Sequence, residues 1–197
     1  MVAVRQGERR AQILQALAEM LENPRSEKIT TAALAKRLDV SEAALYRHFA
    51  SKAQMYEALI DFIETTLFSL IGKIQSDTPD GVAQLEQIIS VLFGFAEKNP
   101  GMTRVLIGEA LVHEDERLQR RINQLYDKLE ALLKQSLRIA QMAERMPRGH
   151  NAAAHAAVLL AFVSGRWQVF VKSGFRARLQ EGWVTQKQFL LAEYPSL

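Results

Sequence analysis

Hydroxyl, phenol, imidazole and ammonium groups are concentrated between Lys28 and Lys52, in the stretch KITTAALAKRLDVSEAALYRHFASK. Groups of these types can donate hydrogen bonds to phosphate oxygens and reach the edges of DNA bases. The stretch holds five basic and two acidic residues, so its net charge of +3 equals that of the whole chain. Phosphate neutralisation supplies much of DNA affinity, so the pattern favours nucleic-acid binding, although a solvated helical pair would carry similar charge.

Two short helices joined by a tight turn would position these groups. Thr30 or Thr31 can cap the first helix, because a hydroxyl oxygen accepts from the free N–H groups of a first helical turn. Asp39 lies in the turn, at a position where a positive φ is expected. Ser41 can cap the second helix. The stretch therefore predicts a helix-turn-helix.

The second helix separates an inner from an outer side. Leu45 and Phe49 lie four residues apart and face inward, which leaves Tyr46 and His48 outside. Small alanines at the start of this helix would let its backbone approach the floor of a groove. We expect the hydroxyl and ammonium groups to contact phosphates. We expect the start of the second helix and the imidazole of His48 to contact the groove. The candidate DNA-binding residues are Thr30, Thr31, Ser41, Ala43, Ala44, Tyr46, His48 and Lys52.

The remaining sequence contains no pattern that indicates catalysis. We find no nucleophile elbow, phosphate-binding glycine loop, paired metal-binding histidines or EF-hand loop, and the chain has no cysteine. The run from His113 to Glu116 has metal-ligand residue types, but adjacent residues on a helix point in different directions, so a solvated loop is expected. We predict no catalytic residue, no metal and no cofactor, and a reducing compartment.

Helical periodicity continues through the rest of the 197 residues, and no strand pattern appears. The predicted fold is all-α, with a three-helix DNA-binding head (residues 1–51) and a helical dimerisation body (residues 52–197). The predicted helices cover 8–22, 51–76, a segment starting at Thr78-Pro79 and ending near 98, 102–112, 117–146, 152–172 and 182–194.

The body is expected to be a dimerisation element of a cytoplasmic protein. The Ala-rich helix after Ala152 suits close packing against a symmetry mate, and Trp167 and Trp183 are expected in the core or at an interface. The N-terminus lacks the apolar segment of a secretory signal. We expect no apolar run to approach the length of about 20 residues that spans a bilayer, and we predict no membrane partner.

The stretch ITTAALAKRLDVSEAALYRHFASK resembles the DNA-binding domain of TetR-family regulators. Two positions depart from the usual pattern of that family. Asp39 stands where the family usually has glycine, and Ala50 stands where proline is common. The resemblance implies a dimeric protein with two heads on palindromic DNA.

Two further stretches, GFAEKNPGMTRVL and ALVHEDERLQRRINQLYDKLEA, are similar to the SlmA-like nucleoid-occlusion branch of that family. The resemblance implies a nucleoid-associated dimer that, on DNA, engages the division protein FtsZ and antagonises its ring. It also implies an FtsZ-binding surface at Phe62, Gly94, Lys98 and Asn99. Lys98 stands for an arginine, and Leu70 occupies a position where the family often has a cation.

Three hypotheses remain open at this point. The first is a DNA-dependent inhibitor of cell division. The second is a ligand-responsive transcriptional repressor, which would hold a small molecule in an apolar pocket of the body. The third is a helical enzyme or a structural dimer, which the absence of a catalytic pattern disfavours.

Overall fold

The structure, a computed structural model, describes residues 6–23, 29–147 and 149–191. All regular elements in these ranges are helical, as the periodicity predicts. In chain order they are α1 (Gln6–Leu21), α2 (Thr31–Arg37), α3 (Glu42–Tyr46), α4 (Lys52–Asp77), α5 (Gly81–Lys98), α6 (Pro100–Leu106), a single 3-10 turn (Glu109–Leu111), α7 (Glu116–Met142), α8 (Ala152–Lys172) and α9 (Trp183–Leu190).

The described chain forms two compact units. The first contains the residues up to Ile63 together with Asn99–Ile122, and the second contains Glu64–Lys98 and the residues from Asn123 onwards. Helices α4 and α7 each contribute residues to both units. The boundary at residue 51 between the DNA-binding head and the dimerisation body is a functional division, and it stays a prediction.

The first unit has a core formed by the inward faces of α1, α2 and α3. Leu34, Leu45 and Phe49 are each 1% exposed, as their spacing predicts. Arg10 lies over the ring of Phe49, with its guanidinium carbon 4.1 Å from the ring centroid, and it donates to the carbonyl of His48. Arg10 therefore stabilises the end of α3.

Helix α6 packs against α1 with the backbone of Gly101 in close contact with the backbone of Ala18. A Cβ on Gly101 would lie 2.0 Å from the carbonyl oxygen of Ala18 and 3.0 Å from the Cβ of Leu21, so only a glycine fits. Arg104, one turn further along α6, donates to the carbonyls of Leu21 (2.9 Å) and Asn23 (3.2 Å). The guanidinium thus satisfies acceptors at the C-terminal end of α1 that have no partner within that helix.

The second unit contains an aromatic cluster. The ring centroids of Phe93, Phe162 and Trp183 lie between 5.9 and 6.0 Å apart. Trp167 is fully buried and donates from its indole N–H to the carbonyl of Leu92 at 3.3 Å. The prediction that both tryptophans lie in the core or at an interface is confirmed, since Trp167 and Trp183 are both buried in the core of the second unit.

The structure corrects the predicted start of α5. The Thr78-Pro79 pair does not begin this helix. Asp80 caps it, because its carboxylate accepts from the backbone N–H groups of Val82 (2.8 Å) and Ala83 (3.2 Å). An Asp carboxylate at this position satisfies two free donors of the first turn, where a Thr hydroxyl would serve one.

Three other helix ends are also corrected. The segment predicted as one helix over 102–112 is α6 followed by the 3-10 turn, because Gly108 adopts a left-handed conformation with φ of 77°. Helix α7 ends at Met142, since Glu144 has φ of 57° and Arg145 N donates to the carbonyl of Ala140. Helix α9 ends at Leu190, before the residues that lie outside the described range.

Helix α8 corrects the prediction that no apolar run approaches membrane-spanning length. Helix α8, with 21 residues, is long and apolar enough to cross a bilayer by length and composition alone. Leu159, Val163 and Trp167 of this helix are fully buried in the second unit. A core helix of a folded domain passes the same test, so the finding is weak support for a membrane span.

Candidate nucleic-acid interface and partner surface

The caps of the helix-turn-helix fix its local geometry. Thr30, and not Thr31, caps α2, since its hydroxyl oxygen accepts from Ala33 N at 3.1 Å. Ser41 caps α3 through Ala44 N at 3.2 Å. Asp39 adopts φ of 52°, the positive value expected for the turn. The turn thus keeps its left-handed residue without glycine, because Asp tolerates that region better than most residues.

Thr31 and Tyr46 belong to one hydrogen-bonded network with an acidic residue. The Thr31 hydroxyl donates to the carboxylate of Glu42 at 2.5 Å and accepts from the Tyr46 hydroxyl at 3.4 Å. The three side chains come from α2 and α3. This arrangement brings two predicted phosphate ligands together, and it also places a negative charge beside them.

Only some of the residues expected on the outward side of α3 are exposed. Tyr46 is 45% exposed, and Ala43 and Arg47 are exposed as well. Ala44 and His48 are half-buried, and the Nδ1 atom of His48 is buried without a hydrogen-bond partner among the described residues. Access to base edges is therefore greater for the start of α3 than for the imidazole of His48.

Lys52, the predicted phosphate ligand at the start of α4, forms an ion pair with Glu114. The two side chains are 19% and 11% exposed, and the Lys52 ammonium lies 5.6 Å from the centroid of the Tyr56 ring. Burial raises the pKa of the Tyr56 hydroxyl, and the nearby Glu114 carboxylate raises it further. Glu114 could not be predicted as the partner of Lys52, because the two residues are 62 positions apart in the chain.

The acidic side chains of the run from His113 to Glu116 pair with basic side chains of this protein. Glu114 binds Lys52, and the Asp115 carboxylate accepts from Arg117 N at 3.0 Å at the start of α7. No cluster of three metal-ligating side chains occurs among the described residues.

Two arginines at the start of α7 pair with acidic residues of α4. Arg117 pairs with Glu57 at 3.1 Å and Arg121 pairs with Asp61 at 2.8 Å, both on α4. Each positive charge in these pairs is therefore balanced by an acid on the neighbouring helix.

The predicted FtsZ-binding residues of the second unit lie at the end of α5. Lys98 is exposed. Gly94 is half-buried, and the nearest atom to a Cβ built there is the side-chain nitrogen of Gln180, at 4.0 Å. Both positions are accessible from solvent, and a methyl group at residue 94 would meet no clash.

The predicted FtsZ-binding residues of the first unit lie on α4 and at the start of α6. Phe62 is 49% exposed, so it does not belong to the core stripe of α4, although its spacing fits one. Leu70, further along α4, is 43% exposed. Asn99 is half-buried and is the residue that precedes Pro100, the first residue of α6. Phe62 and Leu70 thus present large apolar side chains to solvent.

Helix α8 presents an outer face of small and apolar side chains. Its exposed members recur at helical spacing, and Val158 and Val169 are 54% and 53% exposed. The others are Ala154, Ala157, Ala161 and Gly165. A face of this composition suits the close approach of a second helix.

Comparison with known proteins gives matches along nearly the whole chain. The family described as "Bacterial regulatory proteins, tetR family" matches residues 13–59, and the family "SlmA-like_C: Tetracyclin repressor-like, C-terminal domain" matches residues 79–194. The nucleoid occlusion factor SlmA of Alteromonas mediterranea is 46% identical over 195 residues, which cover 97% of this chain and all of that protein. The chain belongs to the SlmA family of nucleoid occlusion factors. Its members are DNA-binding regulators of the TetR type and not a family of enzymes.

Other SlmA relatives give the same result. The SlmA of Vibrio cholerae is 48% identical over 180 residues, which cover 89% of this chain and 92% of that protein. Among solved structures, the fatty acid degradation regulator FadR of Bacillus halodurans has a TM-score of 0.78 at 15% identity, with full coverage of both chains. A TetR regulator of Haloarcula marismortui has a TM-score of 0.78 at 18% identity, over 95% of this chain and 98% of that one. At these identities the likeness concerns the fold, which is TetR-like.

Proposed function

We propose that this protein is a dimeric nucleoid occlusion factor that binds palindromic chromosomal sites and, when bound, inhibits assembly of the FtsZ ring over the nucleoid. The observation that carries the proposal is the 46–48% identity to curated SlmA factors over 86% or more of this chain. The similarity extends through the helix-turn-helix and through the body that would bind the partner. The proposed location is the cytoplasm, at the nucleoid.

In the proposed mechanism, each head contacts the backbone and one major groove. Thr30, Thr31, Tyr46 and Lys52 hold phosphates, while Ser41 and the alanines that begin α3 face the groove, with His48 at its edge. Two heads of a dimer would read half-sites about 34–36 Å apart. The small-residue face of α8 is the surface that we assign to the dimer contact.

The proposed FtsZ-binding set comprises Phe62 and Asn99 of the first unit and Gly94 and Lys98 of the second. Solvent access at Phe62, Gly94 and Lys98 supports it, since a partner can reach these side chains without unfolding. Charge reversal by Lys98→Glu is expected to abolish FtsZ binding and to leave DNA binding intact. Loss of both activities would indicate misfolding, and retention of both would remove Lys98 from the set.

A ligand-responsive repressor is the alternative in the same fold. Such a repressor would need an apolar pocket in the body. In the second unit, the rings of Phe93, Phe162 and Trp183 pack against one another, and Phe93 and Trp183 are buried. Genome-wide footprinting tests the two functions against each other. Many sites that avoid one chromosomal region are expected for an occlusion factor, whereas a single site beside the protein's own gene would contradict it.

A further inference from the structure

We propose that the loop from Arg176 to Gly182, between α8 and α9, forms a second wall of the partner surface at Gly94 and Lys98, and that it binds an acidic segment of FtsZ. This inference rests on the proposed function, which supplies the partner. Neither helical spacing nor the family resemblance assigns the loop a role.

The loop is fixed to the face of α5 that carries Gly94. The Glu97 carboxylate accepts from the backbone N–H groups of Leu179 (2.5 Å) and Gln180 (3.4 Å). The Gln180 side chain donates to the carbonyl of Ser90 at 3.0 Å. Residues 90, 94 and 97 share one face of a helix, because they are separated by four and three positions. The loop therefore lies beside Gly94.

A guanidinium holds the loop backbone from its other side. Arg166 donates to the carbonyls of Arg178 (2.8 Å), Leu179 (2.8 Å) and Glu181 (3.1 Å). The side chain of Leu179 is fully buried. These contacts order the loop before any partner arrives, so binding would lose little loop entropy.

Glycine at position 94 leaves space between the helix and the loop. The nearest atom to a Cβ at this position is Nε2 of Gln180, at 4.0 Å, so Gln180 stands across from the missing side chain. A peptide backbone can approach α5 closely at such a position. The loop and α5 thus lie side by side at this position.

The exposed charged side chains of this loop and of the end of α5 are predominantly basic. Lys98, Arg176 and Arg178 are exposed, and Arg176 donates from Nε to the carbonyl of Ser173 at 2.9 Å. The exposed acid of the loop is Glu181, while the Glu97 carboxylate is occupied by the two loop N–H groups. Charge complementarity favours an acidic segment as the occupant, and an acidic segment of FtsZ is the one we assign.

The test compares Arg178→Glu with Arg138→Glu, a matched charge reversal at an exposed arginine of α7. Arg178 contributes its backbone carbonyl to the loop anchor, so its side chain can change without loss of that contact. The dissociation constant for purified FtsZ would be measured on protein loaded with a palindromic DNA site. We expect Arg178→Glu to weaken FtsZ binding about tenfold or more, and Arg138→Glu by less than about twofold. Should Arg178→Glu not fold, Arg178→Gln is expected to weaken binding about threefold.

Each other outcome has a distinct meaning. Equal effects of the two reversals would overturn the assignment of the loop. A parallel loss of DNA affinity in Arg178→Glu would overturn it too, because the loop would then bind phosphates. If Lys98→Glu abolishes FtsZ binding while Arg178→Glu retains it, the proposed function stands and the loop has no part. If the unaltered protein binds no FtsZ, the proposed function itself fails, and the inference with it.

Discussion

The carboxylate of Glu114 binds the ammonium group of Lys52 at the start of α4, with side chains that are only 11% and 19% exposed. Lys52 is also the cation that we assign to a DNA phosphate. An ammonium group has three donors, so it can bind the carboxylate and a phosphate oxygen together. Glu114 would then hold the Lys52 ammonium group in position for a DNA phosphate before the protein binds DNA.

Replacement of Lys52 by alanine is expected to weaken binding on all DNA sequences and to make the salt dependence of log K shallower by about 1. The change would also leave the Glu114 carboxylate without its partner, at a cost of about 1–3 kcal/mol in the free energy of unfolding. Fluorescence anisotropy at several salt concentrations measures the first effect, and urea denaturation measures the second.

The double variant Lys52→Ala/Glu114→Gln separates these two effects. We expect it to recover most of the stability and none of the DNA affinity, since it removes the unpaired charge and supplies no cation. DNA affinity that recovers with stability would show that Lys52 acts through folding. An unchanged salt slope in Lys52→Ala would remove Lys52 from the phosphate contacts.

Gly101 and Gly72 form a matched pair for testing the contact between α1 and α6. Gly101→Ala would place a Cβ 2.0 Å from Ala18 O, whereas no atom lies within 4 Å of a Cβ at Gly72, on α4. We expect Gly101→Ala to destabilise the protein by about 1–3 kcal/mol. Gly72→Ala should stabilise it by about 0.5–1 kcal/mol through helix propensity. A neutral Gly101→Ala in thermal denaturation would contradict this close crossing.

His155 makes stability depend on pH. Its Nε2 lies 2.7 Å from the carbonyl of Leu190 and so donates, and its Nδ1 accepts from Nε2 of His150 at 2.8 Å. Burial lowers the pKa of His155, and the nearby His150 lowers it further. The unfolded chain then binds more protons, so the free energy of unfolding should fall as pH decreases through about 6.5.

Denaturation at pH 7.5 and 5.5 measures this dependence. His155→Gln should flatten it, because the titrating group is gone, by at most about 1.4 kcal/mol per pH unit. His113→Gln, at an exposed position, is the control and should retain the full dependence. Equal pH dependence in both variants would exclude His155 as its source.

The outer face of α8 is predicted to form the dimer. Val158→Glu would bury a carboxylate in that contact, so we expect a monomer in light scattering and at least about tenfold weaker binding to palindromic DNA. Ala131→Glu, on an exposed position of α7, should leave the dimer intact. A dimeric Val158→Glu would place the interface elsewhere.

Features that depend on residues close together in the chain could be predicted from the sequence. The caps at Thr30 and Ser41 and the positive φ of Asp39 follow from local backbone chemistry. Helix ends were less predictable where several cap residues compete, as at Thr78 and Asp80. The bounds of α8 could be predicted, at residues 152–172, but its apolar length could not, because Arg166 interrupts the apolar residues.

Contacts between distant parts of the chain could not be predicted. Glu114 binds Lys52 across 62 positions, and Glu97 binds the loop at Leu179 across 82. Phe62 fits the apolar period of α4, yet it is half exposed, because periodicity does not separate the centre of a stripe from its edge. The DNA-binding and FtsZ-binding residues remain predictions that the binding experiments test.

Sedimentation of FtsZ polymers in the presence of GTP tests the central claim most directly. Purified protein loaded with a palindromic DNA site is expected to reduce the pelleted FtsZ strongly, while DNA alone and DNA-bound Lys98→Glu should leave it unchanged. An unaltered FtsZ pellet with the DNA-bound protein, together with release of that DNA by a small molecule, would contradict the account.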